Sequence, residues 1–118
     1  MSSNKKLLMI EGAEEMRGES FYATNCSACH QANGKGIPPV FPALEGSQIA
    51  LNDSARHIEI LMEGVQGSAM AAFGNMYSEV DIASVITYTR QAWSNGENGD
   101  GVIVTPKDIV DYKNKIDL

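Results

Sequence analysis

The chain carries few bulky side chains of its own. Aromatic residues make up 7 %, with one tryptophan, although hydrophobic residues as a whole reach 43 %. One domain of 118 residues supports a modest core, and a core this poor in aromatics gains from an apolar group supplied from outside. Basic residues are also scarce, with nine Lys and Arg against 15 Asp and Glu and a net charge of −6. That excludes a nucleic-acid partner, because the phosphate backbone is attracted by clustered Lys and Arg. No run approaches the roughly 18–20 apolar residues that cross a bilayer, so no membrane contact is expected of this segment. The opening residues "MSSNKKLLMIEG" place two lysines before an apolar run too short for a signal peptide. The expectation is a soluble segment without an address; exported chemistry would imply a removed leader or a larger parent. Cysteine and histidine number two each, and three of the four fall within Asn25-Cys26-Ser27-Ala28-Cys29-His30.

Helix signals dominate the rest. A frayed lead-in over 1–11 gives way to a helix ending at the cysteine stretch near Asn25. Gly18 lies inside it, where glycine costs about 1 kcal/mol relative to alanine, with Phe21 and Tyr22 following on the same face. Either the helix is poorly formed or Gly18 marks a close helix crossing. Residues 31–50 are punctuated by Gly34, Gly36, Pro38, Pro39, Pro42 and Gly46 and read as loop. Asn52, Asp53 and Ser54 offer N-caps for a short helix through Glu63, with Ala55, Ile58, Leu61 and Met62 on its apolar face and Gly64 as its stop. His57 on that helix is expected to face solvent. A second loop covers 64–77. Ser78 and Asp81 form a capping box for the clearest helix, whose stripe is Ile82, Val85, Ile86, Thr89 and Trp93. Asn95-Gly96 and Asn98-Gly99 end it. Val102–Val104 reads as extended, and a last helical turn or two starts at Thr105-Pro106. The fold class is all-α.

The cysteine stretch has three candidate chemistries. A thiol–disulfide switch of the C-x-x-C kind normally follows a strand in a βαβ setting, and no such pattern is present. Structural zinc needs four ligands, commonly two spaced pairs, and beyond the motif only His57 is offered. Haem c accounts for the histidine that directly follows the second cysteine. Two thiols three positions apart add to the two vinyl groups of one porphyrin, and the next side chain, His30, falls under the iron. A covalent haem would also supply the missing apolar bulk.

Six-coordinate haem in electron transfer commonly pairs His with Met. Met62 sits on a helix face, where methionine is usually core filler. Met70 and Met76 share the uncharged second loop, and Phe73 stands near enough to Met70 to cover the site. The reading favours Met70 as second axial ligand, with Met76, Met62, His57 or an open position as alternatives.

The order C-x-x-C-H, then Pro42-x-Leu44-x-Gly46, then Met70, then Ile86-Thr87-Tyr88 resembles a class I c-type cytochrome. The stretches "CSACHQANGKGIPPVFPALEGS", "AMAAFG" and "VDIASVITYTRQAW" are more closely similar to the C-terminal cytochrome c domain of subunit II in some bacterial haem–copper oxidases. The resemblance implies a class I cytochrome c fold of three to four helices around one covalent haem c. It places the haem domain at 12–95 and a C-terminal extension at 96–118, packed on or trailing from it. It also implies that Cys26 and Cys29 bind the haem, that His30 and Met70 ligate the iron, and that the Pro42 carbonyl accepts a hydrogen bond from His30. Leu44 would pack on the haem. Gly18 and Tyr22 would meet Val85 and Tyr88 at the crossing of the first and last long helices, which decides for the close crossing. Two departures are Ala71, where the family often has proline after the ligand methionine, and Tyr77, where leucine is common. The first implies a less rigid loop; the second implies a hydroxyl needing a partner.

The implied function is one-electron transfer between proteins, not enzyme catalysis. In the suspected parent, electrons would arrive from an upstream cytochrome or quinol-oxidising complex and leave for a dinuclear copper centre in the same subunit. The location would be the periplasmic side of the bacterial inner membrane. Alternatives are a free-standing periplasmic shuttle and a haem enzyme or sensor with a labile sixth ligand. Residues 25–46 carry only Lys35 and Glu45, and residues 64–77 carry no charge. An uncharged docking rim is therefore expected, with Ala28, Ile37, Ala71 and Ala72 in it.

Overall fold

A computed structural model describes residues 16–116; the lead-in over 1–11 and the start of the first helix lie outside them. Within that range the chain is helical, with one isolated bridge pair, Ile37 and Phe41, and no strand. Helix α1 occupies 16–25, and α2 (Ser27–His30) is a single turn. They are followed by α3 (Gln48–Asn52), α4 (Ser54–Glu63), α5 (Glu79–Gln91), α6 (Asn95–Asn98) and α7 (Pro106–Ile116). Four of these are long, as the resemblance implies, and three are short turns that the sequence pattern folds into loops.

Helix α5 is the hub. The Ser78 hydroxyl accepts from the Asp81 N–H at 3.2 Å and so starts it. Every side chain from Ile82 to Thr87, together with Thr89 and Arg90, is then buried. A helix covered almost all round is one that neighbours wrap, and α3, α4, α6 and α7 all pack on it. Ile82, Ile86 and Ile109 are essentially inaccessible, each worth about 1.5–3 kcal/mol of burial. Helix α1 crosses α5 at Gly18, where an added Cβ would lie 2.3 Å from the Ser84 carbonyl oxygen and 2.8 Å from the Tyr88 Cβ. The bare backbone is what allows the contact. The atoms nearest that added Cβ belong to Ser84 and Tyr88, and the Tyr22 and Tyr88 rings meet beside it at 5.5 Å.

Several local expectations change. Residues 48–52 form a helix inside the expected loop because the Ser47 side chain caps it at Ala50. Asn52 therefore ends α3, and Asp53 alone caps α4, accepting from the Arg56 N–H at 3.0 Å. Ala55 is exposed and His57 buried, so the inward face of α4 is rotated toward His57, Leu61 and Met62. Trp93 leaves α5 with a left-handed φ of 57°. The last helix is longer than a turn or two, since Thr105 and Asp108 cap it reciprocally (2.8 Å and 3.3 Å) and Ile109 anchors it in the core. The stretch before it is held by side chains rather than by a strand. The Thr87 hydroxyl donates to the Val104 carbonyl at 2.9 Å, and the Arg90 Nε donates to the Val102 carbonyl at 3.0 Å.

Candidate functional site: an apolar crevice with two thiols, an imidazole and a thioether

The turn at Cys26 makes the site possible. The Cys29 and His30 N–H groups both donate to the Cys26 carbonyl (3.2 Å and 2.9 Å). Residues 26, 29 and 30 thus occupy one helical turn, and i, i+3 and i+4 share a face. All three line a cavity of about 470 Å³, within the range that holds a cofactor.

The opposite walls come from the two loops. The Pro42 carbonyl accepts from the His30 Nδ1–H at 2.9 Å, which fixes the tautomer and leaves Nε2 with its lone pair. Gly36 makes this approach possible: its φ is +63°, and a Cβ there would lie 2.5 Å from the Phe41 and Pro42 carbonyl oxygens. Leu44 lines the same cavity.

Met70 and Phe73 face it from the second loop. That loop is tied down without a proline at 71. The Phe73 N–H donates to the Leu61 carbonyl at 2.8 Å, and the Val65 N–H to the Met70 carbonyl at 3.1 Å. The Met70 N–H in turn donates to the Ser68 hydroxyl at 3.1 Å. Gly64 lets the loop fold back, since a Cβ there would meet the Met70 carbonyl oxygen at 2.7 Å. The structure thus brings together Cys26, Cys29, His30, Pro42, Leu44, Met70 and Phe73. It leaves Met76 65 % exposed and away from the cavity, and buries Met62 in the core. The Tyr77 hydroxyl finds its partner in the Asn25 side-chain oxygen at 3.1 Å.

His57 corrects the sequence reading most. It is 5 % exposed and lines the cavity, with Nε2 placed 3.2 Å from the Thr89 hydroxyl. Burial, with the nearby Arg90 charge, lowers its pKa to about 4, so it is neutral at pH 7. Its position four residues before Leu61, on the same stripe, was the signal available in the sequence.

Two of the three candidate chemistries do not fit. Both cysteines are free, and burial, with the neighbouring Cys29 charge, pushes the Cys26 thiol up to about 11. Disulfide exchange needs an activated thiolate, which this environment opposes. Among the described residues no cluster of three or more His, Cys, Asp or Glu side chains is placed to hold a zinc ion. The donor set does fit a haem of the c type. It comprises two thiols and a tautomer-fixed imidazole on one turn, a thioether across the cavity, and walls with no Lys, Arg, Asp or Glu among the described residues.

Comparison with known proteins agrees with that class. Residues 13–88 match the family model described as "Cytochrome C oxidase, cbb3-type, subunit III". Cytochrome c-552 of Thermus thermophilus is 33 % identical over 98 residues, covering 71 % of this chain and 73 % of that protein. The cbb3-type cytochrome c oxidase subunit FixP of Azorhizobium caulinodans is 32 % identical over 99 residues, covering 76 % of this chain and 32 % of that protein. The cytochrome c subunit of the quinone alcohol dehydrogenase of Gluconobacter oxydans is 26 % identical over 102 residues, covering 78 % of this chain and 21 % of that subunit. The chain thus spans only a fifth to a third of the two larger relatives. It belongs to the cytochrome c family, through the cbb3-type cytochrome domain, and its cofactor is one covalent haem c.

Proposed function

We propose that the chain is an electron relay in which Cys26 and Cys29 hold the haem by thioether bonds and His30 and Met70 occupy its two axial positions. The observation that carries this reading is the cavity with His30 on one wall, its Nδ1 already engaged by Pro42, and Met70 on the other. Bound haem supplies a one-electron couple. The residues do the rest: Pro42 orients the imidazole and raises its basicity, Leu44 and Phe73 exclude water, and the tied loop keeps the Met70 sulfur in place. With His30 and Met70 both ligating, the iron would offer no site for a substrate, which favours a relay over an enzyme or gas sensor. Intact-mass measurement with a reduced pyridine haemochrome spectrum tests the attachment. A chain mass without added haem, or loss of the haem on denaturation, would overturn it.

The partners we infer are an upstream cytochrome as donor and, as acceptor, the dinuclear copper centre of an oxidase subunit II of which residues 12–95 form the haem domain and 96–118 an extension. The support is the likeness of three stretches noted above. A free-standing carrier on the periplasmic side of the membrane is the second reading, favoured by the coverage of cytochrome c-552, most of whose length the chain matches. No helix among the described residues is long and apolar enough to cross a membrane.

Ala71 and Val40 (70 % exposed) line the cavity and reach solvent, and Ala28, Ile37 (47 %) and Ala72, the other residues expected in the rim, are exposed as well. Electrostatic steering falls steeply with ionic strength, whereas apolar contact does not. Electron exchange with the donor is therefore expected to change less than about threefold between 20 and 300 mM salt. A steep decline in stopped-flow traces would show that the acidic helices steer docking instead.

A further inference from the structure

The segment after α5, beyond the residues that match the family, reaches back into the loop that carries Pro42. Asn95 is fully buried and uses its whole amide. Its Nδ2 donates to the Leu44 carbonyl at 3.0 Å and to the Thr89 carbonyl at 2.8 Å. Its Oδ1 accepts from the Gly46 N–H at 2.8 Å. The Thr89 carbonyl belongs to the last turn of α5, whose terminal carbonyls lack helical partners. One amide thus ties that helix end to the residues two and four positions after Pro42.

Trp93 grips the other arm of the same loop. Its left-handed backbone turns the indole back so that Nε1 donates to the Ala32 carbonyl at 2.9 Å. The ring lies on the bare backbone of Gly34, where a Cβ would be 2.7 Å from it. The Gly34 carbonyl accepts from the Leu44 and Glu45 N–H groups at 2.7 Å and 2.9 Å, and the Gly36 N–H donates to the His30 carbonyl at 2.8 Å. The two arms of the loop are therefore bonded to each other, to His30 and to the 93–95 clamp.

We propose that Trp93 and Asn95 are positioning residues that set the His30–Pro42 hydrogen bond, and through it the reduction potential, without touching the haem. The hydrogen bond makes the imidazole a stronger donor, which favours ferric iron. Loosening the clamp lengthens it and favours ferrous iron. This rests on His30 being the axial ligand, and the intact mass and ligand-field spectrum of each preparation separate failure of that reading from failure of this one.

The test is the midpoint potential of haem-loaded protein, with the 15N shift of His30 Nδ1 read in the ferrous state. Asn95→Ala removes all three bonds. Asn95→Leu keeps the approximate volume and loses both donors and the acceptor without adding a charge. Trp93→Phe keeps the ring over Gly34 and loses only the bond to Ala32, the mildest of the three changes. Each is expected to raise the reduced-to-oxidised ratio at fixed ambient potential, by about threefold or more for the Asn95 variants (~28 mV at 59 mV per tenfold), with a matching Nδ1 shift. Thr87→Val is the control. It breaks a buried tie to Val104 on the far side of α5 and should lower stability while leaving the potential alone. A haem-bound potential and Nδ1 shift unchanged in every variant that folds would overturn the proposal, as would an equal shift in Thr87→Val.

Discussion

Met70→Ala is expected to keep its haem, to lose the methionine–iron charge-transfer band of the ferric protein, and to fall in reduction potential by on the order of 0.1 V or more, within the roughly 0.8 V that axial ligation spans. The direction follows from the ligand, since a thioether favours ferrous iron and its replacement by water or hydroxide does not. The size follows from the site. Among the described residues Met70 is the methionine lining the cavity, whereas Met76 is solvent-exposed and Met62 is packed in the core. Among the described residues no other sulfur is placed to take over. Met76→Ala should therefore leave both band and potential unchanged, and a band surviving in Met70→Ala would sink the assignment. The hold on the sulfur does not depend on the proline that the family often places next. Leu61, Ser68 and the bare Gly64 backbone fix the loop from outside, so the native band is expected to persist to neutral pH and above.

The cysteine turn and the helix hub were legible in the sequence because each rests on local chemistry, whereas Pro42 and Leu44 came into view only through the family resemblance. C-x-x-C-H is a spacing, Ser78 and Asp81 form a cap within one turn, and the stripe of α5 is a period. What was not legible was decided by partners distant in the chain. His57 reads as a polar residue on an amphipathic helix until Thr89, 32 positions later, supplies a buried partner. Asn95-Gly96 reads as a helix stop, and a local rule cannot show that the asparagine side chain closes a loop 49 to 51 positions earlier. Residues 48–52 looked like loop because Gly46 and the prolines before it break the period, yet Ser47 starts a helix there. The misjudged residues share one feature: a polar side chain whose role is set by the group it bonds, the Thr89 hydroxyl for His57, distant backbone for Asn95 and the next helical turn for Ser47.

Gly18→Val should lower the unfolding midpoint of the haem-loaded protein, opposite in sign to what helix propensity alone predicts. In an isolated helix the change would be favourable, because glycine is worth about 1 kcal/mol less than alanine. The crossing reverses the sign. A Cβ at Gly18 meets the Ser84 carbonyl oxygen at 2.3 Å and the Tyr88 Cβ at 2.8 Å, and neither is the free end of a flexible chain. The helices must separate, with an overpacking cost of about 1–3 kcal/mol or more, and in a domain of this size each kcal/mol shifts Tm by about 4–8 °C. Separation also opens the Tyr22–Tyr88 contact, and Tyr22 is not a bystander. Its carbonyl accepts the Cys26 N–H at 2.9 Å, and its hydroxyl donates to the Gln31 carbonyl at 2.6 Å, so it brackets the attachment turn from both ends. The loss of stability should therefore come with a lower yield of covalently loaded protein, readable as the ratio of haem-bound to haem-free mass. A denaturation midpoint unchanged in Gly18→Val would mean that the two helices do not cross this closely, and the haem-bound fraction would then be unchanged as well.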